Sequence, residues 1–276
     1  MENPNIPANI LLRAQVYVDL IGACLNSTTR PLVLFLRSYG VVTCPIQAVI
    51  ATFTTFSAGY VTGLMASDRY IALSRPYTYT SLVTPLKVYI LLLIVLLTAT
   101  TMALLPVLGF GSYQFSVEDR VMCKSISSFI NPLDKTYFIV YITNSVILLT
   151  SVIYCNVAMV RQVSKLHKLI EPASQPSSST NGDRRVMPKL TNEVRFAATI
   201  VMLSAVFLLC WGTFMMHEIW MAATGGFSIT FLQTSILLLI VNHTIDPLIY
   251  VLTRKQFRNG IAELFGCCCR RLGHVF

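Results

Sequence analysis

The stretch SYGVVTCPIQAVIATFTTFSAGYVTGLMASDRYIALSRPYTY, Ser38 to Tyr79, carries no charged side chain before Asp68 and then sets Asp68 and Arg69 side by side. A bilayer core of about 30 Å is crossed by roughly 20 mostly apolar helical residues, so this stretch predicts a transmembrane helix that ends in a charged pair at one membrane surface. The pattern repeats outward along the chain. Val88 to Val117, Thr136 to Val160 and Phe196 to His217 are also free of charge, and Ile229 to Leu252 is interrupted only by Asp246. A sixth, more polar stretch, Ala8 to Thr29, contains Arg13 and Asp19. It reads as a span whose aspartate faces a polar interior, the alternative being an amphipathic helix on the membrane surface. The predicted helices cover 8–29, 41–70, 87–110, 136–162, 194–222 and 229–252 of a single transmembrane domain. A cytosolic loop at 171–189 is marked by EPASQPSSSTNGD, whose Pro, Ser and Gly content signals a solvated linker. A surface helix at 254–266 and a tail at 267–276 complete the chain.

Composition agrees with this reading. Of 276 residues, 54% are hydrophobic and 12% charged, with a mean hydropathy of +0.65. Soluble proteins carry about 25% charged residues, so both a water-soluble domain and a disordered chain are excluded. The net charge of +9 does not mark a nucleic-acid surface, because the basic residues lie between apolar runs rather than on one solvated face. They do orient the chain. Arg161, Lys165, Lys168, Arg184, Arg185, Lys189 and Arg195 surround the linker, and Arg254, Lys255, Arg258, Arg270 and Arg271 follow the last span. By the positive-inside rule these segments face the cytosol, leaving Tyr113 to Lys135 as an extracellular loop. The four histidines are scattered and no nucleophile or phosphate-loop motif occurs, which argues against an enzyme.

Cys44 lies at the extracellular end of the helix that ends in Asp68, and Cys123 lies in the extracellular loop. The oxidising side favours a disulfide between them, two free thiols being the alternative. Cys267, Cys268 and Cys269, next to Arg270 and Arg271, suit S-palmitoylation, acyl chains and basic residues together giving a stable anchor. Zinc binding is the alternative there, although adjacent cysteines chelate poorly.

The Asp68-Arg69-Tyr70 triplet in this setting resembles the rhodopsin-like family of G-protein-coupled receptors, and further motifs follow in the family's order. Asp19 matches the polar residue of the second helix, Tyr154 a tyrosine low in the fifth, and Glu193 the acidic partner of the triplet arginine at the foot of the sixth. Phe207, Cys210 and Trp211 match the aromatic switch, and Asn242 with Asp246, Pro247 and Tyr250 match the seventh-helix motif. The implied fold is an all-α membrane bundle with six spans, the second to seventh of the family, and a short amphipathic helix. On this alignment the family's first helix is expected to be missing from the sequence. The fragments VDLIGACLNS, MASDRYIALSRPYTY, ALLPVLGFGSY and NHTIDPLIYVL further resemble the prostanoid receptor branch. Leu237 stands where that branch carries the arginine that pairs with its ligand's carboxylate, so the resemblance implies either a different, less acidic lipid or no retained small-molecule ligand. Ala51 stands where amine receptors carry an aspartate.

The resemblance implies a plasma-membrane receptor that binds a lipid-like ligand near Ala51, Thr52, Thr55, Trp211, Thr234 and Leu237 and activates a heterotrimeric G protein. Arg69 would pair with Glu193 and hold two helices together until activation. Asp19, Asn242 and Asp246 would form a polar core suited to waters or a sodium ion, and no other cofactor is implied. Arrestin-type regulators and a receptor dimer belong to the same implied set of partners. The second reading is a truncated, non-signalling fragment that dimerises with, or retains, a full-length receptor.

Overall fold

The computed structural model describes residues 6–35, 40–113, 115–116, 122–123, 131–170, 183–226 and 228–253. Seven helices and a two-stranded hairpin occur in the order α1 (Ile6–Phe35), α2 (Gly40–Ser74), α3 (Pro76–Leu82), α4 (Pro85–Leu104), β1 (Phe115–Ser116), β2 (Met122–Cys123), α5 (Pro132–Ile170), α6 (Asp183–Thr224) and α7 (Ile229–Thr253). Six of the helices are long and apolar enough to cross a membrane. Helix α3 is not among them. It has seven residues and lies along one end of the bundle, opposite the hairpin.

The side chains are distributed as expected for helices surrounded by lipid. In α4 only Val88, Leu92, Ala99, Met102 and Ala103 are buried, whereas Leu86, Tyr89, Ile90, Leu91, Leu93, Ile94 and Leu97 are exposed. In water, such an apolar outer face would be strongly unfavourable. Polar groups are inside instead, including Asp19, Asp68, Arg69, Asn242 and Asp246. Helix α2 forms the axis and packs against α1, α4, α5 and α6. One apolar cluster, containing Leu11, Met65, Met159, Ile200 and Ile249, fills the half nearer α3. A second, containing Phe56, Tyr137, Tyr141, Phe207 and Trp211, fills the half nearer the hairpin.

Local chemistry explains the boundaries. Pro76 and Pro85 open α3 and α4 at the first helical turn, where a missing N–H removes no hydrogen bond. The start of α5 is fixed by Asp134, whose carboxylate accepts from the backbone N–H of Asn131 at 2.8 Å and from the Ser112 hydroxyl at 2.9 Å. A negative charge there also suits the positive end of the helix dipole. Gly111, at φ +113°, turns the chain between α4 and the hairpin.

The structure adjusts several boundaries. Helix α6 begins at Asp183, inside the expected loop at 171–189 and before the expected start at 194, and α5 continues to Ile170 rather than stopping at 162. Hydropathy locates only the membrane-crossing part of a helix, and both extensions are polar. Helix α4 ends at Leu104 rather than 110, because a turn leads into Gly109 and Gly111. The antiparallel hairpin, with Phe115 opposite Cys123, lies within the expected extracellular loop, and helix α3 lies between two of the expected spans. The expected surface helix at 254–266 and the tail with Cys267, Cys268 and Cys269 lie outside the described residues.

Candidate functional site

At the α3 end of the bundle, Asp68 is the centre of a buried polar cluster. Its Oδ2 accepts from Arg69 Nη2 at 2.6 Å and Nε at 2.8 Å, and its Oδ1 accepts from the Tyr79 hydroxyl at 2.7 Å. Arg69 Nη2 also donates to that hydroxyl at 3.2 Å. The three side chains are 5%, 3% and 5% exposed. An isolated charge is costly in this setting, and charge-assisted bonds to every partner offset the cost. Burial and the neighbouring Asp68 carboxylate push the Tyr79 phenol well above its ordinary range, so the tyrosine remains a neutral donor. Beside the cluster, Tyr70 meets Tyr154 edge to face at 6.2 Å, and Tyr154 is otherwise on the outer face. Glu193 and Tyr250 lie in α6 and α7, but their side chains are outside the described residues.

Further into the bundle, Asp19 joins α1 to α7. Its Oδ1 meets His243 Nδ1 at 2.9 Å and its Oδ2 accepts from Gln15 Nε2 at 2.8 Å. Gln15 Oε1 in turn accepts from the Thr62 hydroxyl of α2 at 3.4 Å. Gly22 makes the approach of His243 feasible, because a Cβ there would stand 3.1 Å from Nδ1. Asn242 and Asp246 are buried close by, and the Oδ1 of each lacks a hydrogen-bond partner among the described residues. Both Asp19 oxygens are therefore engaged by protein groups, and among the described residues no set of three or more His, Cys, Asp or Glu could hold a metal ion.

Above this core, Trp211 and Phe207 are perpendicular at 4.9 Å, and Phe56 of α2 meets Trp211 at 5.1 Å and Tyr141 of α5 at 4.9 Å. Cys210 is buried between turns of the same helix. Nearest the hairpin, the Tyr113 hydroxyl donates to the carbonyl of Ala103 at 3.1 Å and lies 3.4 Å from Thr52 Oγ1, and burial pushes its phenol up as well.

The residues expected to line a ligand pocket divide into two groups. Thr52, Thr55 and Trp211 are buried and Ala51 is half-buried. Thr234 and Leu237 are not in the interior: both lie on the exposed face of α7, Leu237 at 58%. The inward stripe of that helix runs through Leu232, Ser235, Asn242, Asp246 and Ile249, and Leu237 is two residues, or about 200°, round from Ser235. Cys44 is disulfide-bonded, and the strand that carries Cys123 packs against α2, although the Cys123 side chain is outside the described residues.

Sequence reasoning missed Gln15 and His243 as partners of Asp19, Tyr79 as partner of Asp68, and Phe56 and Tyr141 in the aromatic cluster. Gln15 was detectable from its four-residue spacing to Asp19, and His243 from its position next to Asn242 inside an apolar span. Tyr79 left no comparable signal, since it reaches Asp68 only because α3 folds back.

A profile of seven-transmembrane receptors of the rhodopsin family matches residues 7–250. The chain belongs to this family. It is 30% identical to cannabinoid receptor 1 of Xenopus laevis over 81% of this chain and 47% of the relative. It is 23% identical to the human prostaglandin E2 receptor EP2 subtype over 95% of this chain and 74% of the relative. Squid rhodopsin superposes with a TM-score of 0.78 at 19% identity, covering 95% of this chain and 76% of the other. The chain spans about half the length of the cannabinoid relatives it matches. Family members are receptors and not enzymes, in agreement with the sequence reading.

Proposed function

We propose that the chain is a plasma-membrane receptor that binds a lipid-like ligand at the hairpin end of the bundle and activates a heterotrimeric G protein at the α3 end. The buried Asp68–Arg69–Tyr79 cluster carries this reading. A guanidinium held at the mouth of a helical bundle by groups that include the Asp68 carboxylate and the Tyr79 hydroxyl is a two-position device. Release from Asp68 frees a long cationic side chain to meet a partner helix entering between α2 and α6. Glu193 at the foot of α6 is the second anchor we assign to Arg69. The aromatic column from Tyr141 through Phe56 to Trp211 and Phe207 supplies the connection, because a ligand that displaces Trp211 must also displace Phe207 below it.

The orientation with the linker and C-terminus in the cytosol follows from the charge distribution, and it places the α3 end where a G protein is available. Pairing of Cys44 with Cys123 and palmitoylation of Cys267, Cys268 and Cys269 belong to the same proposal. A lipid ligand is favoured by the names of the relatives, which include cannabinoid and prostaglandin receptors, and by the apolar, aromatic lining. The test is to reconstitute the chain in vesicles with purified heterotrimeric G proteins of the stimulatory, inhibitory and Gq classes and to measure nucleotide exchange. Acceleration over empty vesicles with at least one class is expected. Exchange at the empty-vesicle rate with all three, for chain that is folded and correctly inserted, would overturn the proposal.

A further inference from the structure

His217 and Glu218 are the two fully buried ionisable side chains of α6 on the hairpin side of Trp211, each 0% exposed. They lie six and seven residues beyond Trp211, about 9–10 Å along the axis. Neighbours on a helix point about 100° apart, so burying both requires packing on two sides. On one side the His217 ring stands edge-on to Phe231 of α7 at 5.1 Å. On the other, Glu218 is enclosed as completely as its neighbour. The two side chains also meet each other, His217 Nδ1 lying 3.2 Å from Glu218 Oε1. The remaining ring nitrogen, His217 Nε2, is buried and has no hydrogen-bond partner among the described residues.

Resting on the lipid-receptor reading, we infer that His217, held by Glu218, is the polar recognition point of the ligand site, and that its ligand is an uncharged lipid carrying a hydroxyl in its head group. The chemistry follows from the pair. With Glu218 ionised, Nδ1 carries a proton and donates to the carboxylate, as a histidine oriented by a carboxylate does. Nε2 is then an acceptor when the ring is neutral and a donor when it is protonated. A hydroxyl serves both states, because it donates and accepts. A lipid carboxylate meets the negative charge of Glu218 and, at the neutral ring, an acceptor nitrogen to which it cannot donate; among the described residues Arg69 is the buried Lys or Arg, and it is at the opposite end. An unpaired buried nitrogen is costly, so a hydroxyl that reaches Nε2 gains affinity that a capped analogue cannot. Met215, which packs with Tyr137 and Tyr141, and Phe231 supply apolar surface for the remainder of such a molecule.

The experiment uses the full chain in lipid nanodiscs and three probes with one acyl chain: N-oleoylethanolamine, its O-methyl ether and oleic acid. Competition against radiolabelled N-oleoylethanolamine reads the affinities. The hydroxyl probe should bind about tenfold more tightly than the ether, the value of one hydrogen bond, and oleic acid should be the weakest. His217→Phe should erase the difference between hydroxyl and ether. His217→Gln, which keeps a polar atom where Nε2 stands, should preserve it and serves as the folded control. Glu218→Gln should narrow the gap between hydroxyl probe and acid. Equal binding of hydroxyl and ether, or a difference that survives His217→Phe, overturns the inference while leaving a lipid receptor in place. Absence of binding by all three overturns the inference together with the lipid reading.

Discussion

Asp68 serves two donors at once, and its removal is informative in two ways. Asp68→Asn keeps the shape but weakens the hold on Arg69, so basal nucleotide exchange should rise. Tyr79 adds a dependence on alkali. Its phenol is raised in the folded state, so its contribution is complete below the ordinary tyrosine value of about 10 and declines as pH rises above it. Thermal melts at pH 9 and 11 should therefore fall further for the native chain than for Tyr79→Phe. Equal declines would show that the hydroxyl does not stabilise the cluster. At the polar core, His243→Leu leaves the buried Asp19 carboxylate with Gln15 alone. Leaving a buried carboxyl group without this hydrogen-bond partner costs about 1–3 kcal/mol. The double change Asp19→Asn with His243→Leu should recover part of that loss, and strictly additive losses in denaturation measurements would mean that the two residues do not interact.

At the scale of the elements, the contact between α2 and α6 is set by one absent side chain. A Cβ on Gly59 would overlap the Trp211 ring and lie 2.8 Å from Phe207, so Gly59→Ala must move a tryptophan that is 0% exposed. Overpacking of this type costs about 1–3 kcal/mol, and the altered ring position should change the tryptophan emission spectrum. An unchanged spectrum and melting temperature would place the ring elsewhere. The disulfide tests the hairpin end: Cys44→Ser and Cys123→Ser should lower folded yield by the same amount, and unequal losses would argue against their pairing. These elements were unequally legible in sequence. The six spans were readable because a bilayer demands long apolar runs, and Asp68, Arg69, Asp19 and Asp246 because an ionisable residue inside such a run needs a polar interior. Helix rotation was less legible. In a span that is apolar on every side, periodicity does not distinguish the lipid face from the core, and so Thr234 and Leu237 were assigned to the wrong face of α7. Contacts between distant segments, such as Tyr79 with Asp68 or Phe56 with Trp211, depend on packing that no local pattern encodes.

Across the whole molecule, polar groups occupy the axis in levels: His217 and Glu218 near the hairpin, Asp19 with His243 in the middle, and Asp68 with Arg69 at the α3 end. Aromatic rings connect the first two levels, while the lipid-facing surface is apolar. This distribution suits a bundle that moves by small shifts of buried contacts, since packed interiors change between discrete arrangements and do not deform continuously. The central claim is that Arg69, restrained by Asp68, is the group that engages a G protein. The most direct measurement compares basal nucleotide exchange by the native chain, Asp68→Asn and Arg69→Ala in the same reconstituted vesicles at equal folded receptor density. The account predicts exchange above native for Asp68→Asn and at the empty-vesicle level for Arg69→Ala. Exchange by Arg69→Ala equal to that of the native chain would contradict it.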